Sequence, residues 1–401
     1  MVTSSISARS LIITLATITA LGPLSMQIYL PALPAIQDSF SVSSWQAQLV
    51  FSAPLVAIAM SSLIYGPASD RFGRRPVLFV GLTIFLLGSV ICAVSTSIWI
   101  LILGRIVQAI GGASGMVINR AIIRDLFDRE TAARMLAYMV TIQVLAPMMA
   151  PLLGGVINDM TGWRAIYWFT VMAGFAAIAL SYPRVPETLS HPVLGQSIKG
   201  MFMSFFSLLR VPEFLAYSGQ LSFGLGVWMA TLGGAPYVVV RVLDRPPTEL
   251  GLLLLIISAG FMLGTFTTAR IATKVGIDRM IIFGSVLNVV FGLVMVVLIL
   301  LGEWTIWSIF LPSTIMAFAS GLIMPNCQAA AVSINPRIAG SASGLITFMM
   351  MITGAAFAQI VGVFQNETPI PMVVIATGAS ILGLLSIVVL PRIGNKTSKK
   401  V

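Results

Sequence analysis

The sequence predicts an all-α membrane protein of twelve transmembrane helices, arranged as two six-helix bundles. Three observations predict it. Hydrophobic residues fill 58% of the 401 positions, while Asp, Glu, Lys and Arg together fill 9%. A soluble domain carries roughly a quarter of charged residues. The apolar residues also fall in runs of roughly 20, the length that crosses a hydrocarbon core. A soluble fold of this length has no interior large enough to hide that surface, whereas a bilayer is itself the apolar solvent.

The first six runs lie near 10–32, 46–69, 77–95, 99–122, 134–157 and 163–183. The first contains Pro23 and Pro31, has Pro34 just beyond, and leads straight into further spans. It therefore reads as a retained helix, not a cleaved leader. A polar stretch follows at 184–211, and six more runs lie near 212–239, 250–272, 280–301, 304–330, 338–362 and 370–391. The expected organisation is a bundle over 1–183, a cytoplasmic central loop over 184–211 and a second bundle over 212–401.

The net charge is +10. An even number of spans puts both termini on one side. That placement puts nineteen of the 23 Lys and Arg on the same side, leaves Arg164, Arg241 and Arg245 opposite, and keeps Arg105 inside the fourth span. Such an asymmetry makes the basic side cytoplasmic and accounts for the charge without nucleic acid. Cys92 and Cys327 lie inside apolar runs and read as small buried hydrophobes, and the single histidine, His191, sits in a polar loop. No cofactor or metal site is expected. An enzyme needs convergent acids, bases or metal ligands, and the chain shows no such grouping.

The halves look duplicated. A shift of 203 residues pairs Arg71 with Lys274, Gly73 with Gly276, and Arg134 with Arg337. Two separate places sharing one offset suggest a repeated unit, and parallel repeats with a site between them are one transporter architecture.

Three segments carry chemistry. The loop after the second span reads G-P-A-S-D-R-F-G-R-R over 66–75. Gly66 and Gly73 suit a tight turn, and Asp70 lies beside Arg71, Arg74 and Arg75, where it can pair and latch that side shut. The fourth span reads L-I-L-G-R-I-V-Q-A-I-G-G-A over 101–113. Arg105 there is costly and must find partners, and Gln108 lies one turn away on the same face. The fifth span reads A-P-M-M-A-P-L-L-G-G over 146–155. Pro147 and Pro151 bend it, and Gly154 and Gly155 permit close helix approach.

These segments resemble the signature loop, the arginine motif and the antiporter motif of the major facilitator superfamily. With S-M-Q-I-Y-L-P-A-L-P (25–34), N-R-A-I-I-R-D-L-F-D-R-E-T-A-A-R (119–134), G-W-R (162–164) and P-E-T-L (186–189), the first half is similar to the bicyclomycin-resistance (Bcr/CflA) branch of its twelve-helix drug–proton antiporters. The resemblance implies multidrug or small-amphiphile efflux by alternating access, in a multi-pass monomer of the bacterial inner membrane with both termini cytoplasmic. Its partners would be lipid, a small amphipathic substrate and protons; the few charges in the spans, with Arg105 among them, suit a substrate that is neutral, zwitterionic or anionic. It implies substrate contacts at Gln27, Tyr29, Arg105 and Gln108, with Tyr138 and Gln143 on the fifth span and Gln220, Trp228, Asn326 and Met350 in the second half. Relatives carry an acid near position 27, where this chain has Gln27. Three accounts stay open: Asp70 or Asp125 titrates instead, the protein is an uncoupled facilitator or couples to something other than protons, or Gln27 is an engineered replacement. The other reading is a dedicated metabolite or siderophore transporter, for uptake or export, without proton antiport.

Overall fold

The computed structural model describes residues 8–189, 203, 205–334, 338–366 and 368–398. The first half folds into α1 (Ala8–Gln27), α2 (Leu33–Phe40), α3 (Ser44–Phe72), α4 (Arg74–Ala93), α5 (Ile98–Leu126), α6 (Arg129–Thr161) and α7 (Trp163–Ser181). The second half holds α8 (Pro212–Tyr237), α9 (Pro247–Val275), α10 (Ile277–Leu300), α11 (Ile306–Ser333), α12 (Ala339–Phe364) and α13 (Ile370–Ser398). Among the described residues, twelve stretches are long and apolar enough to cross a membrane, one for each predicted span; α1 and α2 together make the first, Ser10–Phe40. Between them the chain leaves the α-helix at Ile28 and Tyr29 and tightens into a 3₁₀ turn at Leu30–Ala32. Pro31 and Pro34 carry no N–H, so the helical ladder cannot run through that point unbroken.

Several helices outrun the predicted spans. At 29 residues, α3 and α5 would each be about 43 Å long, against a hydrocarbon core of about 30 Å. Their ends therefore stand in the headgroup region or in water. This corrects the reading of Gly66. It lies inside α3, with nothing within 4 Å of the place a Cβ would occupy, and makes no turn. Only Gly73 turns the chain, at φ 100° and ψ 148°.

The chain groups into two compact units. One comprises Met1–Val42 with Leu49–Gly195, the other Ser43–Gln48 with Gln196–Val401. Within the first, α4 packs on α5 and α7, and α1 packs on α5, α6 and α7. Within the second the same pairings recur: α10 on α11 and α13, and α8 on α11, α12 and α13. The 203-residue offset recurs in the backbone as well. Gly276 caps α10 at φ 92° and ψ 144°, nearly the conformation with which Gly73 caps α4. Arg337, His191 and half of the stretch 184–211 lie outside the described residues, as does the side chain of Arg134.

Small residues set the closest crossings. Gly81 and Gly88 on α4, two turns apart, meet Ser114 and the backbone of Gln108 on α5. Gly111 on α5 meets the backbone of Phe85 in return. In the second unit Gly264 on α9 lies against the Phe318 carbonyl, and Thr268 donates to the Gly321 carbonyl at 3.0 Å. Lipid gives helices no hydrophobic reason to associate, so contact of this closeness is what holds them.

Candidate functional site

Arg105 organises the core of the first unit. It is 1% exposed. Its guanidinium donates to the Ser25 carbonyl at 2.9 Å, to the Val50 carbonyl at 3.4 Å and to Gln108 Oε1, and one nitrogen points at Met26 Sδ at 3.9 Å. The Tyr29 ring covers it, 4.1 Å from the guanidinium carbon to the ring centroid. Tyr29 in turn donates to the Val50 carbonyl at 3.2 Å and stacks on Tyr167 at 6.2 Å between centroids. Gln108 passes the network on, donating to Ser89 Oγ at 2.8 Å and Thr170 Oγ1 at 3.2 Å. The break in α1 makes this possible, because it is the chain around it, from Ser25 to Tyr29, that meets the arginine.

The antiporter-motif glycine serves the same centre. A Cβ on Gly154 would overlap the Ile28 carbonyl oxygen, so only glycine lets α6 lie against the break. Both Pro147 and Pro151 lie within the continuous helix α6. Gln27 is the last residue of α1 and half-buried.

A second cluster stands where α3, α4 and α5 end on the arginine-rich side. Arg74, 4% exposed, pairs with Asp70 at 2.5 Å and Asp125 at 3.1 Å and donates to Ser69 Oγ at 2.7 Å. Of the three arginines in the loop, it is the one that holds both carboxylates. Arg75 donates to the Tyr182 carbonyl at 3.0 Å and lies over the rings of Phe79 and Tyr182, and Arg71 is exposed over Phe72.

Glu187, in the P-E-T-L segment, completes this cluster. Its two oxygens accept from the backbone N–H of Arg74 at 3.0 Å and of Arg75 at 3.1 Å. These are N-terminal donors of α4 that have no partner within the helix, and Gly73 at the cap position has no side chain to offer them. The close seat is visible at Gly73, where a Cβ would lie 2.6 Å from Glu187 Oε2. The neighbouring Thr188 hydroxyl donates to Asp125 at 3.1 Å. The G-W-R segment does similar work at the opposite ends of the helices. Arg164 covers Trp163 at 4.1 Å and donates to the Ser95 carbonyl at 3.3 Å, and Trp163 packs on Phe40.

The remaining nominated residues are spread out. Gln143 on α6 accepts from Arg120 on α5 at 3.0 Å, and Tyr138 is 52% exposed. Gln220 on α8 is buried and donates to Ser285 on α10 at 3.0 Å. Asn326 is buried within α11 and donates to the Leu322 carbonyl of its own helix at 2.8 Å. Trp228 and Met350 are half-buried. Among the described acids, those inside span helices all lie within three residues of a helix end: Asp38, Asp70, Asp125, Asp159, Glu213, Glu249 and Asp278.

Sequence reasoning misses Glu187, Arg120 and Gln48. Glu187 carries a family signature but no readable partner, and Arg120 counts only as one more charge of the basic side. Gln48 is wholly buried in the second unit, neither amide atom is hydrogen-bonded among the described residues, and a Cβ on Gly233 or Gly362 would overlap it.

Comparison with known proteins identifies the family on which these clusters are built. The Major Facilitator Superfamily profile matches residues 15–358. The chain belongs to the Major Facilitator Superfamily. It is 25% identical to a bicyclomycin resistance protein homolog of Haemophilus influenzae, over 94% of both chains. It is 27% identical to multidrug resistance protein D of Escherichia coli, over 94% of this chain and 92% of that one. These relatives agree with the bicyclomycin-resistance branch of the superfamily's drug–proton antiporters. A solved bacterial homolog of the human lysosomal transporter Spinster, inward-facing and occupied, superimposes with a TM-score of 0.74 over 97% of this chain and 96% of the other. At 16% identity, that likeness speaks for the facilitator fold. Family and fold are those of multi-pass transporters.

Proposed function

We propose that this facilitator-superfamily protein exports small amphipathic molecules, drugs among them, by alternating access. The observation that carries the reading is the first unit's pair of buried cationic joints, Arg105 among neutral acceptors and Arg74 between Asp70 and Asp125. Charges inside a lipid-embedded bundle are costly and mark transport routes and switches. The names of the bicyclomycin and multidrug resistance relatives support export of drugs. The protein acts as a monomer in a bacterial inner membrane, with both termini in the cytoplasm on the strength of the Lys and Arg asymmetry.

The acids favour a second reading of the driving force. A proton relay inside a membrane normally uses a carboxylate at depth, and every described acid within a span sits near a helix end. Dedicated metabolite or siderophore transport without proton antiport is therefore the competing function. Everted vesicles carrying the protein separate the two. Gradient-driven accumulation of amphiphilic drugs supports proton-coupled efflux, and flux indifferent to the gradient sinks it. Gln27→Asp restores a carboxylate beside the break in α1. A gain of gradient-driven flux in that variant supports position 27 as the coupling site, and no gain counts against it.

A further inference from the structure

Helix α5 carries arginines well away from both of its ends. Arg105 stands about two turns from the start, and Arg120 about 9 Å along the axis from the end at Leu126. Neither has a carboxylate within ion-pair reach among the described residues, whereas Arg74 holds two. The two arginines differ in what they can reach. Arg105 is closed in, its donors turned to carbonyls, Gln108 and the Tyr29 face. Arg120 is exposed, and its guanidinium donates to Gln143 Oε1 of α6 at 3.0 Å.

An exposed guanidinium near the cytoplasmic end of a membrane-crossing helix does not face hydrocarbon; it faces water, headgroups or a ligand. The bond to Gln143 fixes its direction and uses one of its five N–H donors, leaving a planar fork suited to an oxyanion. Gln143 is itself short of a partner, since its amide nitrogen is buried without an acceptor. The remaining N–H groups of Arg120 and the amide N–H of Gln143 thus stand side by side as donors.

We propose that Arg120, oriented by Gln143, is an anion-recognition residue, and that the favoured substrates are amphipathic organic anions bearing a carboxylate or like oxyanion on an apolar body. This rests on the reading of the protein as a transporter of small amphiphiles and names the charge of its substrate.

The test uses the full chain purified in neutral detergent, with pyrenebutanoate and its uncharged amide as fluorescent probes. The wild type is expected to bind the carboxylate about ten-fold more tightly than the amide. Arg120→Gln removes that preference and leaves amide binding within about two-fold. Arg120→Lys keeps part of the preference, because the charge remains without the fork. Gln143→Leu weakens the carboxylate alone and serves if Arg120→Gln does not fold. Equal wild-type affinities, no binding of either probe, or equal loss of both in Arg120→Gln would overturn the proposal. So would displacement of the carboxylate, with the same Arg120 dependence, by phosphatidylglycerol added to the micelles, since the site would then belong to a lipid headgroup. Flux in liposomes is read separately. Charge-selective binding without flux overturns the transporter reading and leaves the anion site standing.

Discussion

At the scale of single residues, the first unit depends on two arginines that no simpler cation replaces. Arg105 reaches two carbonyls and an amide oxygen while lying flat on Tyr29. A lysine ammonium is a point charge without the planar fork. Arg105→Lys is therefore expected to keep the charge yet lose transport, with a clear fall in melting temperature in detergent. Arg105→Ala strands Gln108 Oε1 and the carbonyls it served, at a cost of about 1–3 kcal/mol for each acceptor left unmet. Arg74 offers a graded comparison. Asp125 is the less exposed of its partners, 22% against 36% for Asp70, and also accepts from Thr188. Asp125→Asn should lower the melting temperature more than Asp70→Asn, with losses of about 1–3 kcal/mol for a charged hydrogen bond. Glu187→Ala uncaps α4 and should cost about 1 kcal/mol, while Glu187→Gln, which keeps one acceptor oxygen, should recover part of it.

At the scale of elements, the crossings are set by glycines whose partners are far away in the chain. Gly154 lies against the Ile28 carbonyl and Gly88 against the backbone of Gln108. Alanine at either position pushes into backbone, which cannot swing aside as a side chain can. Gly154→Ala and Gly88→Ala are each expected to destabilise by about 1–3 kcal/mol, read as a drop in melting temperature. Gly66→Ala is the control. It meets nothing within 4 Å inside a helix, so it should be neutral or add up to about 1 kcal/mol through helix propensity. The same contrast explains what the sequence discloses. The twelve spans are legible because apolar length is a local property, and Arg105 with Gln108 because one helical turn separates them. Gly66 misleads because a glycine beside a charged loop looks the same whether the helix has ended or not. Glu187 is illegible as a cap because its donors, Arg74 and Arg75, lie more than a hundred residues earlier. Arg120 disappears into the charge asymmetry because a count of basic residues by side says nothing of which one another helix holds.

At the scale of the whole molecule, α3 belongs to both compact units. Its first turn groups with the second unit and the rest with the first. In that first turn the Trp45 carbonyl accepts from Gln359 Nε2 at 3.0 Å, and Gln48 sits wholly buried against Gly233 and Gly362. Neither polar atom of the Gln48 amide has a partner among the described residues. A buried amide left unpaired costs about 1–3 kcal/mol per unmet group, so the seat is held by packing and opposed by its own polarity. Gln48→Leu keeps much of the volume and removes the opposition. Its expected effect is a melting temperature raised by a few degrees together with slower substrate turnover in vesicles, because alternating access requires helices to leave the seats they occupy. Gly362→Ala acts in the opposite sense, since a Cβ there overlaps the Gln48 side chain, and should lower the melting temperature. The double variant decides between a local and a coupled effect. If Gln48→Leu raises stability to the same extent in the wild-type and Gly362→Ala backgrounds, the two residues do not share a seat. Non-additivity of about 0.5 kcal/mol or more would show that Gln48 and Gly362 form one seat, in which the unpaired amide and the close glycine act together.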